Sequence, residues 1–347
     1  LENKKILFIG NVLENTGYSL SDRYFIKDLS RFSLINIFHV PITFRQLNAP
    51  HEWMALLTKN VKNYDGYIVC CPISILFPHD KFSFFWLHDY LEFPPSTTDL
   101  VNGVKNIFVP SIKQKDILSS LSKRPVYNYC PVIYAPETIQ KTHDYGNKLV
   151  FYTMAESITQ TTLIKSISCY YWAFTSKDKV IFHINIPPNT KEHFIKILQE
   201  CTKRSCFNTR NDLPEVSLDD FNYSDEQRWM LHKTCNVYVS LNQSESVPIA
   251  ALEAAKIGNF VMYNNGISIY DEIFKPWLPQ GCVGSLVEPG YDMTDYVDNN
   301  YAKYTTKYSP LLFDAIEIMK TLYNNGYNIN PLEQIDNTKE LVNAISS

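Results

Sequence analysis

Short apolar runs alternate with stretches whose apolar residues recur at helical spacing along most of the chain. Residues 5–9 form a short apolar run that ends at Gly10; a polar loop containing Gly17 follows, and residues 22–29 then repeat at helical intervals. Further apolar runs at 34–40, 67–71, 84–87, 107–109 and 126–129 alternate with polar or helical stretches. Continuous apolar runs of this length predict strands buried on both faces of a parallel sheet. The pattern restarts near residue 148, with strands expected at 149–152 and 180–184 and helices at 161–174 and 193–201. The chain is therefore expected to be α/β, with two Rossmann-like parallel-sheet domains facing each other across a cleft. The first domain is expected over 1–140 and the second over 148–330, joined by a polar linker at 135–147 that contains Pro136 and Gly146. Residues 331–347 are expected to form a C-terminal helix that packs back on the first lobe. Open α/β sheets bind ligands beyond the carboxyl ends of their strands, so the cleft between the lobes is the expected site.

Composition narrows the function classes. With 347 residues, 45% hydrophobic and 20% charged, the chain can build two ordinary cores. A formal net charge of -4 excludes a globally basic nucleic-acid binder, although the first 145 residues are slightly basic, with 15 Lys/Arg against 13 Asp/Glu. The cluster Lys113, Lys115, Lys123 and Arg124 reads as a solvated helix face. Eight cysteines without a C-x-x-C pair read as packing thiols in a reducing compartment, and a cytoplasmic location is expected. The first residues have neither the apolar core nor the cleavage site of a signal peptide. The longest apolar stretch, 67–77, contains Pro72 and falls well short of the roughly 20 residues that span a bilayer.

The segment richest in chemistry is 236–262, which reads strand, loop, helix, glycine, strand. Pro248 suits the first turn of a helix, where its missing N–H would have no partner, and Gly258 suits the stop. A helix start aimed into a cleft offers backbone N–H groups and the positive end of its dipole, both suited to a diphosphate. The donors expected there belong to the backbone from Ser246 through Val247 and Ile249 to Ala250. Glu253, in the second turn, is placed to accept the two hydroxyls of a ribose.

Glu245 and Glu253 reproduce the E-x7-E spacing, followed by a helix of small residues, a glycine and a strand. In this the chain resembles the retaining group-1 glycosyltransferases, family 4 of that enzyme class, which have the two-lobed GT-B fold. Residues 223–237 look like the helix that precedes this strand in the family. The resemblance implies a hexosyltransferase without cofactor that uses a UDP- or GDP-linked sugar. Glu245 would lie against the sugar. His88, at the end of the run 84–87, would face the donor sugar as a second catalytic residue. Gly17 and Tyr18 match the family's glycine loop after the first strand. No metal ligand set is expected, and no Asp-x-Asp pair is present. The acceptor is open among a lipid, a glycan and a modified DNA base, so contact with DNA or peripherally with a membrane is among the expectations. The family's Arg and Lys after the first strand of the second lobe have no counterpart in 152–162, and Pro248 stands where the family commonly has Gly. Ser157, Thr159, Thr161, Lys165 and Arg204 are the substitutes in view. A nucleotide-sugar epimerase of the same architecture and a non-catalytic nucleotide-sugar or glycan binder are the alternative readings.

Overall fold

The computed structural model describes residues 4–12, 17–32, 35–41, 64–70, 79–86, 97–137, 139, 145–155, 161–243, 245–289 and 306–346. Two parallel sheets organise these residues. The first has the strand order β2-β1-β3-β4-β5-β6, from β1 (Lys4–Gly10), β2 (Ile35–Pro41), β3 (Gly66–Val69), β4 (Phe82–Phe85), β5 (Asn106–Val109) and β6 (Val126–Asn128). The second has the order β12-β11-β10-β7-β8-β9, from β7 (Leu149–Met154), β8 (Val180–Asn185), β9 (Glu215–Asp219), β10 (Val237–Ser240), β11 (Phe260–Asn264) and β12 (Cys282–Val283). A small antiparallel pair, β13 (Ser285–Pro289) and β14 (Thr306–Pro310), adjoins the second sheet.

The burial follows from the sequence pattern. Every residue of β5, β10 and β11 is buried, as continuous apolar runs demand when helices cover both faces. The edge strand β9, with an acidic residue at each end, is buried at none of its positions. Polar ends on a short edge strand protect it from pairing with another chain. The first helix spans Gly17–Ser30 and so begins a turn before the apolar repeat at 22–29. Its opening residues read as turn formers, yet Ser19 and Ser21 are buried, and tertiary packing overrides their weak helix preference.

Strand order locates the crevices. In the second sheet the order reverses between β7 and β10, and in the first between β1 and β3. Helices leave on opposite faces at such a reversal, which opens a crevice at the strands' carboxyl ends. The loops that follow β1 and β10 therefore each border a crevice. In the first sheet the close packing is visible at Gly10, where an added Cβ would sit 2.5 Å from Asp22 Oδ2. The tail couples the lobes from behind: the Leu332 N–H donates to the Ala255 carbonyl, and the Ile133 N–H donates to Gln334 Oε1. The final helix, Thr338–Ser346, buries Leu341, Ala344 and Ile345, and its Ala344 carbonyl accepts from Asn106 Nδ2 in the first lobe at 2.8 Å.

Candidate functional site

The loop after β10 leads from the crevice of the second sheet into the helix Ile249–Lys256. Asn242 Nδ2 donates to Glu245 Oε2 at 2.7 Å, and the Asn242 carbonyl accepts from Asn264 Nδ2 at 3.0 Å. The carboxylate of Glu245 is thus oriented by the side chain of Asn242, whose backbone is tied to the end of the neighbouring strand. Glu245 is half-buried. Its charge reaches two buried phenols, Tyr238 and Tyr270: burial first, and then that charge, raises both well above the usual tyrosine range, so both remain O–H donors.

The helix start has a defined shape. Pro248 has φ -79° and ψ 66°, and the Ile249 N–H donates to the Val247 carbonyl at 2.9 Å. Those angles and that bond describe an inverse γ-turn centred on proline. Among the described residues the N-cap, Pro248, makes no side-chain capping bond. Because Pro248 lacks an N–H and that of Ile249 is engaged in the turn, the amides left to meet an anion in this segment are those of Ser246, Val247 and Ala250. At the other end Gly258 has φ 81°, its N–H donates to Ala255, and the Asn259 N–H donates to Ala254. This is the Schellman stop that glycine permits.

Glu253 occupies a different environment from the one expected for a ribose ligand. It is fully buried, and its two oxygens accept four bonds: from Arg228 Nε at 2.7 Å and Nη2 at 2.9 Å, His232 Nε2 at 3.1 Å, and Tyr24 OH at 2.7 Å. A carboxylate offers about four lone-pair positions, and in this arrangement four bonds occupy them. Burial alone would raise its pKa, but the charge and hydrogen bonds of Arg228, with the bond from His232, outweigh that and hold it down to about 2. His232 is fixed as well. Its Nε2 must carry the proton donated to Glu253, and its Nδ1 lies 2.7 Å from Tyr152 OH, which in turn receives a bond from Asn259 Nδ2 at 2.6 Å. The ring is thereby held between Glu253 and Tyr152.

The lobes also meet at a second place. Glu272 accepts from Ser111 Oγ at 2.7 Å and from the backbone N–H groups of Ile112 at 2.7 Å and Lys113 at 3.0 Å, at the start of the helix Ile112–Leu121. A carboxylate from the second lobe thus caps a helix of the first.

His88, Ser157 and Thr159 lie outside the described residues. Gly17 and Tyr18 are the first two residues of the helix Gly17–Ser30, and Thr161 is the first of the helix Thr161–Ala173. Lys165, one turn further on, donates to Ser309 Oγ on β14. Arg204 ends the helix Lys191–Arg204, which runs back from β8 to the amino edge of the sheet, away from the crevice. Lys113, Lys123 and Arg124 are exposed and Lys115 is half-buried; Lys123 and Arg124 lie past the end of the helix Ile112–Leu121, so the four do not share one helix face. Sequence reasoning did not identify Tyr24, Asp225, Arg228 or His232. Arg228 and His232 share one helix face, but a polar pair on a buried face interrupts apolar periodicity and leaves no pattern to find. Among the described residues no helix is long and apolar enough to cross a membrane.

No protein-family model matches the chain, and no curated protein matches it in sequence. Solved structures do match. The trehalose-6-phosphate synthase OtsA is 8% identical with a TM-score of 0.59, covering 98% of this chain and 95% of that one. S. aureus MnaA, solved with UDP, is 11% identical with a TM-score of 0.51, covering 99% and 96%. An S. aureus TarM variant, solved with UDP among its ligands, is 15% identical with a TM-score of 0.47; the match covers 76% of this chain and only 50% of that one. Strand order, the paired lobes and the full-length similarity to OtsA agree on the fold: the chain has the GT-B architecture of two Rossmann-like lobes.

Proposed function

We propose that this chain is a retaining glycosyltransferase that moves a sugar from a nucleoside-diphosphate sugar, UDP- or GDP-linked, to an acceptor bound by the first lobe. The observation that carries the reading is the uncapped helix start at the crevice of the second sheet, with Glu245 held beside it by Asn242. Amides of Ser246, Val247 and Ala250 would meet the diphosphate, whose charge grows as it leaves, so their attraction is strongest in the transition state. Glu245 would hold the sugar, and His88 would orient it from the other lobe. In this reading the departing phosphate oxygen takes up the acceptor proton, and the anomeric configuration is retained.

The test is a screen of UDP- and GDP-sugars for thermal stabilisation, because a ligand bound only by the folded state raises the melting temperature. The reading expects one nucleotide class to stabilise the protein and the donor to be consumed only when an acceptor is added. Conversion of the donor with no acceptor would move the assignment to an epimerase of this fold. Absence of stabilisation by every nucleoside diphosphate would defeat the enzyme assignment and favour a non-catalytic scaffold.

A further inference from the structure

Three consecutive residues of the first helix, Asp22, Arg23 and Tyr24, are each almost wholly buried. Successive helical positions are turned by about 100° from one another, so the three reach different targets. Asp22 Oδ2 accepts from the Asn11 N–H at 2.7 Å, just past the end of β1. Arg23 Nε donates to the Val12 carbonyl at 2.8 Å, while its Nη1 reaches across to Asp225 Oδ1 of the second lobe at 3.1 Å. Tyr24 donates to Glu253. Arg228 closes the circuit, binding Glu253 with Nε and Nη2 and the same Asp225 oxygen with Nη1 at 3.0 Å.

The result is a ring of charge-assisted bonds running from the loop after β1 through Arg23, Asp225, Arg228, Glu253 and Tyr24 back to the helix it left. It holds two cations and two carboxylates, so its charge cancels; Arg23, Arg228 and Glu253 are buried, and Asp225 is partly exposed. Each member is needed by the others, because removing one leaves a buried charge without its partner. The ring also joins the two crevices: one side holds the backbone after β1, and the other holds the helix that begins beside Glu245.

We propose that Glu253 is a positioning residue which, through Arg228 and Tyr24, sets the backbone of Asn11 and Val12 against the start of the helix Ile249–Lys256, and that it is not a nucleotide ligand. This rests on the donor reading above for what the two crevices bind. Tyr24 and Arg228 share the role. The expected consequence is local: weakening the ring loosens Asn11, Val12 and the helix Gly17–Ser30 while the nucleotide crevice keeps its affinity.

Two measurements on the full chain test this, with UDP and 2′,3′-dideoxy-UDP as probes. In Tyr24→Phe, hydrogen exchange is expected to rise about tenfold in residues 11–12 and 17–30 while the strands of both sheets are unchanged, since one buried bond to a carboxylate is lost. A rise spread evenly over both sheets, or none, would overturn the proposal by showing a merely structural contact. In Glu253→Gln and Tyr24→Phe alike, calorimetry is expected to give wild-type discrimination between the two nucleotides within about twofold, because neither residue meets the ribose. Loss of that discrimination in Glu253→Gln alone would assign the ribose to Glu253 and refute the proposal. Should wild type bind no UDP, the UDP form of the donor reading falls, and the exchange map of Tyr24→Phe still decides the positioning role.

Discussion

Glu245 and Glu253 are the same residue type, seven residues apart on one strand-loop-helix unit, and they live under opposite conditions. Glu245 is half-buried in a loop at the crevice and steered by Asn242, whereas Glu253 is fully buried and takes four bonds from three residues, one of them in the other lobe. A carboxylate that can meet a ligand has to remain accessible; one that joins two lobes has to be saturated. Spacing along the chain distinguishes neither condition.

The strongest way to break the comparison is to remove the cation beneath Glu253. Arg228→Met is expected to cost about 3–5 kcal/mol in chemical denaturation, because it leaves a carboxylate buried without its partner. The same measurement on Glu245→Ala is expected to show little change. Transfer activity should reverse the order: Glu245→Ala is expected to lose about two to three orders of magnitude in kcat with its fold intact, as when a group aimed at developing charge is removed. Full activity in that variant would remove Glu245 from the chemistry.

How much of this was legible in the sequence follows from the same contrast. The strands of both sheets, the proline at the helix start and the glycine stop depend on neighbours in sequence, and the alternation of apolar runs carries them. The environment of Glu253 depends on Tyr24, which lies 229 positions away. No local pattern could supply that partner. Tyr24 was missed for this reason, whereas Arg228 and His232, 25 and 21 positions before Glu253, were missed because a polar pair on a buried helix face leaves no apolar period to read. The start of the first helix was misplaced for a related one: burial of Ser19 and Ser21 lies outside what helix preference encodes.

The comparison is also sharpened through pH. Burial raises the carboxyl of Asp22 from 3.8 to about 8, against the weaker opposing bonds from Cys70 and Asn11. The folded protein then keeps a proton that the unfolded chain releases near pH 4. Its stabilising contribution is full below that pH and is lost as pH rises towards 8, at no more than about 1.4 kcal/mol per pH unit for one proton. Glu253 has the opposite sign: its lowered pKa gives a contribution that is full above 4.5 and lost as pH falls through about 2. Asp22→Asn is therefore expected to flatten the decline of stability between pH 4 and 8, read as denaturation midpoints across that range. An unchanged slope would show that Asp22 is ionised in the folded state.

The smallest expected effect is at the second bridge between the lobes. Glu272→Ala removes the carboxylate that caps the helix Ile112–Leu121 and is expected to lower stability by about 1 kcal/mol, the usual value of a cap. Thermal unfolding of that variant beside Arg228→Met would rank the two bridges.

The central claim, that a nucleotide docks where the second sheet reverses its order, is tested most directly by mapping hydrogen exchange with and without UDP, and again with GDP. Protection confined to the segment that contains Ser246, Val247 and Ala250 is the predicted result. Binding that leaves this segment unprotected and shields another surface would contradict the account.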